Sequence, residues 1–279
     1  MTAQGAKAAV EINSSSNPTY KTWLKLKNKR GRDREDAFLI ESRKLIADYL
    51  ASTHELTYLV CQKEDHPSLM ESLKQALHRF DDPRIEDKLN HIRWTFLSKE
   101  LFDELTEMES SDGLIGVASG RLSTQLTSSK EASRILLLDN LQDPGNVGTL
   151  LRSAEAFGFK TVIGVDSVDF ENSKVLRASM GSAFRLTLHS TKLEQLLTWV
   201  ADKDIPIIGA DMGGEDYRVF EWPSSFCLAL GNEGNGLRNE MNALIRHSIS
   251  IPMTGLVESL NVAVSGSVIM SGINKPQVG

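Results

Sequence analysis

The chain has 279 residues, of which 41% are hydrophobic and 24% are charged, a composition typical of a soluble globular protein with two ordinary domains. The net charge of −6 argues against tight, non-specific binding of nucleic acid by the whole molecule. No apolar run is long enough to cross a bilayer, and a secretory stretch is not evident. The two cysteines, Cys61 and Cys227, fall in apolar runs. We therefore expect buried thiols in a cytoplasmic protein, with an organelle as the alternative.

The first half of the chain predicts a small α/β domain preceded by a short tail. Residues 1–18 are polar, which predicts a flexible lead-in. In residues 19–118, runs with strand character alternate with runs of helical period. The predicted strands are 37–40, 56–61, 92–97 and 114–118, and the predicted helices are 20–29, 42–50, 67–80 and 98–108.

A second α/β domain is predicted over residues 134–279. Residues 119–133 are rich in serine, threonine and glutamine, so we interpret them as a linker. The strand-like runs that follow are nearly all apolar, as in a parallel sheet that helices cover on both faces. These predicted strands are 135–139, 160–165, 185–188, 206–210, 228–230 and 249–251.

A polar turn follows the first strand of this second domain and leads into a helix pattern that carries Asn146 and Arg152. Ligands of open α/β sheets bind at the carboxyl ends of the strands, so this amide and this guanidinium predict a binding site. Two purely structural interpretations compete with it. Asn146 could be the N-cap of the helix, and Arg152 could pair with nearby Glu155.

Two later loops follow strand-like runs in the same way. Residues 231–237 have the sequence GNEGNGL, and residues 251–253 (IPM) lead to 259–264 (SLNVAV). The glycines allow close approach of backbone to a ligand, and their order differs from that of dinucleotide-binding loops. Together with Asn146-x-Gly148-x-x-x-Arg152, these stretches resemble the SpoU/TrmH class of RNA ribose 2'-O-methyltransferases in the SPOUT superfamily. The resemblance covers about half of the chain.

The resemblance implies a C-terminal SPOUT domain with a parallel sheet and a trefoil knot, preceded by a smaller α/β RNA-binding domain. The N-terminal likeness is looser and depends on residues 11–18 and 38–46. S-adenosylmethionine is the implied methyl donor, rRNA or tRNA the substrate, and a homodimer the assembly. No metal is expected, because the histidines and cysteines lack metal-ligand spacing. The implied donor-binding residues are Leu230, Gly231, Gly234, Ile251, Met253 and Leu260.

The resemblance also assigns residues to the reaction. The family gives the matching arginine, here Arg152, the task of activating the 2'-hydroxyl, often as a general base. A guanidinium stays protonated and accepts no hydrogen bond, so stabilising the developing oxyanion is the more physical role. The other residues have structural alternatives. Asn146, Ser259 and Asn261 could be helix caps, and Glu233 could be a solvent-facing acid. The implied catalytic residues are Arg152, Asn146, Glu233, Ser259 and Asn261.

A cluster of basic residues near the start of the chain is the candidate for RNA docking. A solvated helix face and a phosphate-contacting patch both fit such a run, and the resemblance favours the patch. Arg177 and Ser179 match a shorter family stretch and are weaker candidates for a phosphate contact. The candidates in the basic run are Lys25, Lys27, Lys29 and Arg30.

The sequence therefore predicts an S-adenosylmethionine-dependent RNA 2'-O-methyltransferase. The alternative is a non-catalytic RNA-binding or ribosome-assembly factor that retained the fold, and the presence of the full catalytic set argues against it. A dehydrogenase or a kinase is disfavoured, because neither a dinucleotide fingerprint nor a G-x-x-x-x-G-K-[ST] loop is present. Two glycines, Gly266 and Gly272, are expected to weaken the last helix, through which this family partly dimerises.

Overall fold

A computed structural model describes residues 9–126, 134–201, 203, 205–232, 234–257 and 259–273. The chain divides into two compact units. Unit 1 holds the described residues up to Arg121, together with Glu171–Arg177. Unit 2 holds Leu122–Phe170 and the residues from Ala178 onward, again within the described part.

Unit 1 alternates strands and helices from its first described residues. In chain order it contains β1 (Val10–Ile12), α1 (Pro18–Lys25), α2 (Lys29–Glu35), β2 (Ala37–Glu41), α3 (Arg43–Leu50), β3 (Leu56–Gln62), α4 (His66–Leu77), α5 (Arg84–His91), β4 (Arg93–Leu97), α6 (Lys99–Leu105) and β5 (Ile115–Ser119).

These strands form a five-stranded mixed sheet with the order β1-β4-β3-β5-β2. The first three are parallel, whereas β5 is antiparallel to both β3 and β2. Polar side chains begin the helices, as where Asn17, Ser42 and Ser98 accept hydrogen bonds from backbone N–H groups of α1, α3 and α6. Apolar side chains such as Trp23 and Leu101 then bury the faces of these helices in the core.

Strand β1 lies within the predicted lead-in, so the prediction of a flexible segment is wrong for residues 10–12. They pair in parallel with residues 95–97 at the edge of the sheet, and Ile12 is buried. A strand this short has too few residues to show a period, so its pairing depends on the neighbouring strand.

Helix α5 was also absent from the sequence prediction, because Ile85 is its one buried side chain. Lys88 attaches this helix to the end of α3. Its ammonium donates to the carbonyl oxygens of Leu50, Ser52 and His54 at 2.9, 2.5 and 3.1 Å. Burial lowers the pKa of Lys88, and the three carbonyls compensate for its desolvation.

Unit 2 begins with a short strand and continues as an α/β fold. It contains β6 (Ser123–Thr124), β7 (Arg134–Asp139), α7 (Pro144–Ala156), β8 (Thr161–Val165), part of α8 (Ser173–Ser179), a 3-10 helix (Ser182–Phe184), β9 (Thr187–Thr191), α9 (Leu193–Ala201), β10 (Ile207–Asp216), β11 (Phe226–Leu230), α10 (Asn239–Asn242), β12 (Ile245–Ser250) and α11 (Val262–Ile273).

The strands of unit 2 form a seven-stranded sheet with the order β12-β10-β11-β7-β8-β9-β6, and every pairing is parallel. Central strand β7 pairs with β11 and β8, and all three strands are almost fully buried. The predicted parallel α/β sheet is confirmed. Burial raises the pKa of the Cys227 thiol to about 12, in agreement with the expected buried cysteine.

The edges of this sheet differ from the sequence prediction. Ser123 and Thr124 of β6 lie inside the predicted linker 119–133, yet they pair with Leu188 and His189. Ser119 ends β5, and residues 127–133 of that linker lie outside the described residues. Strand β10 continues well past the predicted end at residue 210 because a bulge lets it rejoin β12. Both features arise from pairing with a neighbour, which a local apolar pattern does not record.

Helix α11 packs closely against α7 and β11. A Cβ atom added at Gly266 would lie 2.5 Å from side-chain atoms of both Leu150 and Leu230, and one at Gly272 would lie 2.4 Å from the Tyr217 ring. These glycines, expected to weaken the helix, therefore allow its close packing.

Candidate active site

A cavity of about 440 Å³ lies in unit 2, where β11 and β12 end. Its lining comes from β10, the loop after β11, the segment after β12 and helix α11. Small-molecule sites usually have this size, and they are found at such edges of parallel sheets. The lining includes all six residues predicted to bind the methyl donor: Leu230, Gly231, Gly234, Ile251, Met253 and Leu260.

The loop after β11 folds back on itself at the cavity wall. Asn232 N donates to Gly236 O at 2.9 Å, and Gly236 N donates to Asn232 O at 2.8 Å. A Cβ at Gly231 would lie 2.2 Å from the carbonyl carbon of Gly236, which itself has a φ of 65°. The close contact requires glycine at Gly231, the positive φ favours it at Gly236, and the turn brings main-chain groups close to the cavity.

The same loop is anchored at both ends to the residues that end β7. Asn232 Nδ2 donates to Asn140 O at 3.1 Å. Beyond the loop, Arg238 donates to the fully buried Asp139 through its backbone N at 2.9 Å and its Nε at 2.7 Å. Its Nη1 also reaches Asp166 at 3.0 Å. This network was not predicted from the sequence. The signal for it was Asp139, an acidic residue at the end of the apolar run 135–138.

Asn146 and Asn261, which are far apart in sequence, meet at the start of α7. Asp143 caps this helix and accepts from Asn146 N at 2.8 Å, so the interpretation of Asn146 as the cap is wrong. Asn261 Oδ1 accepts from the backbone N atoms of Ala263 and Val264 at 2.9 and 3.2 Å. Its Nδ2 donates to Asn146 Oδ1 at 3.0 Å. This bond orients the amide of Asn146 with Nδ2 as its donor end.

Arg152 lies on the exposed side of α7. Within the part of the chain that the structure describes, its guanidinium has no hydrogen bond or ion pair. Glu155 instead pairs with Arg185, with Nη2 2.9 Å from Oε2, and this guanidinium keeps the pKa of Glu155 below its ordinary value. The alternative interpretation, a pair between Arg152 and Glu155, is therefore wrong.

Ser259 and Leu260 line the cavity directly before Asn261, so the Asn146–Asn261 bond joins α7 to the cavity rim. Glu233 lies outside the described residues, and its catalytic role stays a prediction. The lining also contains Asn232, Asn235, Gly236 and Val262, which belong to the glycine loop and to the 259–264 stretch. The remaining lining residues were not predicted, because no motif covers their strand and helix positions. These are Ala210, Asp211, Met212, Ile249, Ser250, Ser265 and Ile269.

The basic run of unit 1 contains side chains in very different environments. Arg32 is 4% exposed and donates from Nη1 to Leu26 O at 2.8 Å. Lys27 donates from Nζ to Glu104 O at 2.8 Å and is half-buried. These two cations stabilise unit 1 itself. The predicted RNA-binding residues that are exposed are Lys25, Lys29 and Arg30.

The two weaker candidates for RNA contact are less accessible. Ser179 is fully buried, so its hydroxyl is not exposed to a phosphate, and the structure argues against that predicted contact. The Arg177 guanidinium is 27% exposed and lies 4.0 Å from the buried carboxylate of Glu41. An arginine held near a buried carboxylate contributes to the stability of the fold, so Arg177 is a weaker candidate for RNA contact.

Two kinds of feature are absent from the described residues. No helix among them has the length and apolar character required to cross a membrane. No group of three or more histidine, cysteine, aspartate or glutamate side chains in that part of the chain is arranged to hold a metal ion.

Known proteins resemble the chain along both units. Residues 133–271 match the SpoU rRNA Methylase family, and residues 17–116 match the MRM3-like substrate binding domain. The chain is 30% identical over 266 residues to the 23S rRNA (guanosine(2553)-2'-O)-methyltransferase RlmP of Bacillus subtilis, covering 93% of this chain and 97% of that protein. It is 31% identical to the 23S rRNA (guanosine-2'-O-)-methyltransferase RlmB of Neisseria meningitidis serogroup B, covering 67% and 78% of the two chains. An AdoMet-bound rRNA methyltransferase from Sinorhizobium meliloti shares the fold, with a TM-score of 0.77 at 23% identity over 95% of this chain and 97% of that one.

Proposed function

Because the chain belongs to the SpoU rRNA methylase family, we propose that it transfers a methyl group from S-adenosylmethionine to the 2'-hydroxyl of a ribose in RNA. Relatives named for guanosine methylation of 23S rRNA support ribosomal RNA as the substrate. One observation carries the proposal. The cavity lined by the predicted donor-binding residues has at its rim a bond between Asn146 and Asn261, two of the predicted catalytic residues.

The residues present fit the proposed donor. The lining combines apolar side chains such as Leu230, Ile251 and Leu260 with main-chain groups of the glycine loop, as a nucleoside with an aliphatic tail requires. S-adenosylmethionine supplies a methyl group activated by a cationic sulfur, so the protein has to hold and align the reactants.

Arg152 and Asn146 are the groups proposed to act on the ribose. The guanidinium keeps its positive charge and stabilises the negative charge that develops on the 2'-oxygen as its proton leaves to solvent. Asn146, oriented by Asn261, donates from Nδ2 to an oxygen of the ribose or its phosphate. Both side chains project from α7, so one rigid helix sets their spacing.

Methyl transfer to unmodified ribosomal RNA tests the proposal directly. Labelled donor is incubated with the protein and either naked RNA or large ribosomal subunits, and the RNA is digested to nucleosides. A 2'-O-methylated nucleoside is expected. A base-methylated product would contradict the ribose assignment. If neither substrate is labelled while the donor binds, ribosomal RNA is not the acceptor. A test with transfer RNA then separates a tRNA methyltransferase from the non-catalytic RNA-binding factor.

The homodimer is also part of the proposal, and exposed apolar side chains support it. Leu256 is completely exposed, and Val264 on α11 is 49% exposed. Exposed apolar side chains that occur together mark interaction surfaces. Sedimentation should show twice the chain mass of 30.8 kDa, and the double variant Leu256→Glu/Val264→Glu should be monomeric. A monomeric wild type would contradict the dimer. The exposed apolar side chains of this segment are Met253, Leu256, Val257, Leu260 and Val264.

The remaining expectations complete the proposal. The exposed cations Lys25, Lys29 and Arg30 of unit 1 dock the RNA, the match of that unit to a substrate-binding domain being the support. We also propose that unit 2 contains the trefoil knot that the sequence resemblance implies, and that the protein works in the cytoplasm, which its likeness to a bacterial rRNA methyltransferase supports.

A further inference from the structure

Asp211 is the one charged residue among the described residues that line the cavity. It was not singled out by any sequence motif. The other lining residues are apolar, glycine, serine or asparagine, so a single negative charge sets the electrostatic character of the described wall.

A bulge in β10 places Asp211 at the cavity. Ala210 and Glu215 both pair with Ile249 of β12, so residues 211–214 leave the ladder. A Cβ at Gly214 would lie 2.4 Å from the backbone N of Ile249, which restricts this position to glycine. The bulge is therefore a defined structure, and its first residue is the acid.

The carboxylate of Asp211 is only partly satisfied within the described residues. Its Oδ1 accepts a hydrogen bond from Gly213 N at 2.9 Å, and Oδ2 has no hydrogen bond or ion pair with another described residue. The side chain is exposed, so its second carboxylate oxygen remains available for a ligand.

The charge of the cavity bears on the difference between the donor and its product. S-adenosylmethionine has an ammonium, a carboxylate and a sulfonium, a net charge of +1. Methyl transfer moves the methyl group to the ribose oxygen and leaves the sulfur with the electron pair of the broken bond. The product, S-adenosylhomocysteine, therefore has a neutral thioether and a net charge of zero.

We propose that Asp211 attracts the sulfonium of the methyl donor, the one charge that the demethylated product lacks, and thereby makes the cavity prefer the donor over that product. The inference depends on the proposed function, since it takes S-adenosylmethionine as the occupant. Because the sulfonium becomes a neutral thioether on transfer, this attraction is absent from the product complex, which favours exchange of product for donor.

The expected effect is modest because the carboxylate is exposed. One charge pair at about 4 Å in a medium close to water changes affinity about 5-fold. Screening by salt reduces it further. Asp211→Asn keeps the acceptor for Gly213 N and removes the charge, so it should weaken donor binding about 5-fold and leave product binding almost unchanged.

Calorimetric titration of the full-length protein tests this inference without any RNA. The wild type, Asp211→Asn and Asp211→Glu are titrated with S-adenosylmethionine, S-adenosylhomocysteine and sinefungin, which carries an amine near the position of the sulfonium. Glu215→Gln is the matched control, since it removes an exposed acid from the same strand outside the cavity lining.

Three results together are expected. Asp211→Asn loses affinity for the two cationic ligands alone, Asp211→Glu restores most of it, and the wild-type preference for the donor falls with added salt. Unchanged product affinity shows that the variant is folded. Equal weakening of all ligands by Asp211→Asn, or the same loss in Glu215→Gln, would overturn the inference. A wild type that binds none of the ligands would instead refute the proposed function.

Discussion

The cavity of unit 2 and the basic run of unit 1 are built in different ways. The cavity wall combines apolar side chains with a main-chain loop, which backbone hydrogen bonds hold and where Gly231 admits no side chain. The basic run consists of long charged side chains, of which Arg32 is buried and Lys25 is exposed. A site made of backbone depends on shape, whereas a charged surface acts through the sum of its cations. One substitution should therefore disable the first and only weaken the second.

Arg152 provides the most severe test of this comparison, because it is the one proposed catalytic cation at an otherwise backbone-built site. Arg152→Ala should lower the rate of methyl transfer by about 100-fold or more, the usual loss of an oxyanion donor. Donor affinity should not change, since Arg152 is not among the residues that line the cavity. Single-turnover methylation at saturating donor measures the effect.

Arg185→Ala is the matched control, because that arginine pairs with Glu155 instead of facing a substrate. It should keep most of the activity. Full turnover by Arg152→Ala would remove this residue from the mechanism.

The variant Gly231→Ala tests whether the backbone conformation of the loop after β11 determines donor binding. Gly231→Ala places a methyl group 2.2 Å from a backbone carbon, so the loop has to move, at a cost of about 1–3 kcal/mol. Donor affinity should fall about 10-fold or more, as that energy predicts. Gly255→Ala is the control, because nothing lies within 4 Å of its added Cβ. Equal donor affinity in the two variants would show that the loop does not shape the site.

The Asn146–Asn261 pair tests an intermediate case between the backbone loop and the basic run, because here two side chains must be aligned with each other. Asn146→Ala and Asn261→Ala should each lower the methylation rate about 10-fold, and the double variant should lose little more, as expected for residues that act as a unit. Asn261→Ala should also reduce the free energy of unfolding by about 1 kcal/mol through loss of the α11 cap. Losses that multiply in the double variant would mean that the two amides act independently.

The basic run should show the smallest and most graded effect. Neutralising Lys25, Lys29 and Arg30 should weaken RNA binding and reduce the slope of log K against log salt by about 2, if all three contact phosphate. Binding titrations over a salt series measure this slope. A triple variant with Lys63, Lys74 and Lys99 replaced by glutamine removes equal charge from exposed positions of the same unit and is the control. Identical slopes in both variants would make the basic run a solvated face.

Much of the architecture follows from local patterns in the chain. The apolar runs around Ile135–Leu138 and Phe226–Leu230 predicted central strands, because a strand buried on both faces has to be apolar throughout. The glycine spacing of residues 231–236 predicted a tight loop, since few other residues tolerate such turns. These requirements concern neighbouring residues, so the sequence alone determined them.

Tertiary structure decided which side chains meet. Asn146 and Asn261 are separated by 115 residues, and their bond exists because α11 packs on α7. Glu155 pairs with Arg185 instead of Arg152 for the same reason, since the folded chain brings that guanidinium closer. Asp211 reaches the cavity through a bulge that the register of β10 against β12 creates. Hydrogen bonds and ion pairs select partners by distance in space, and a local sequence pattern does not contain that distance.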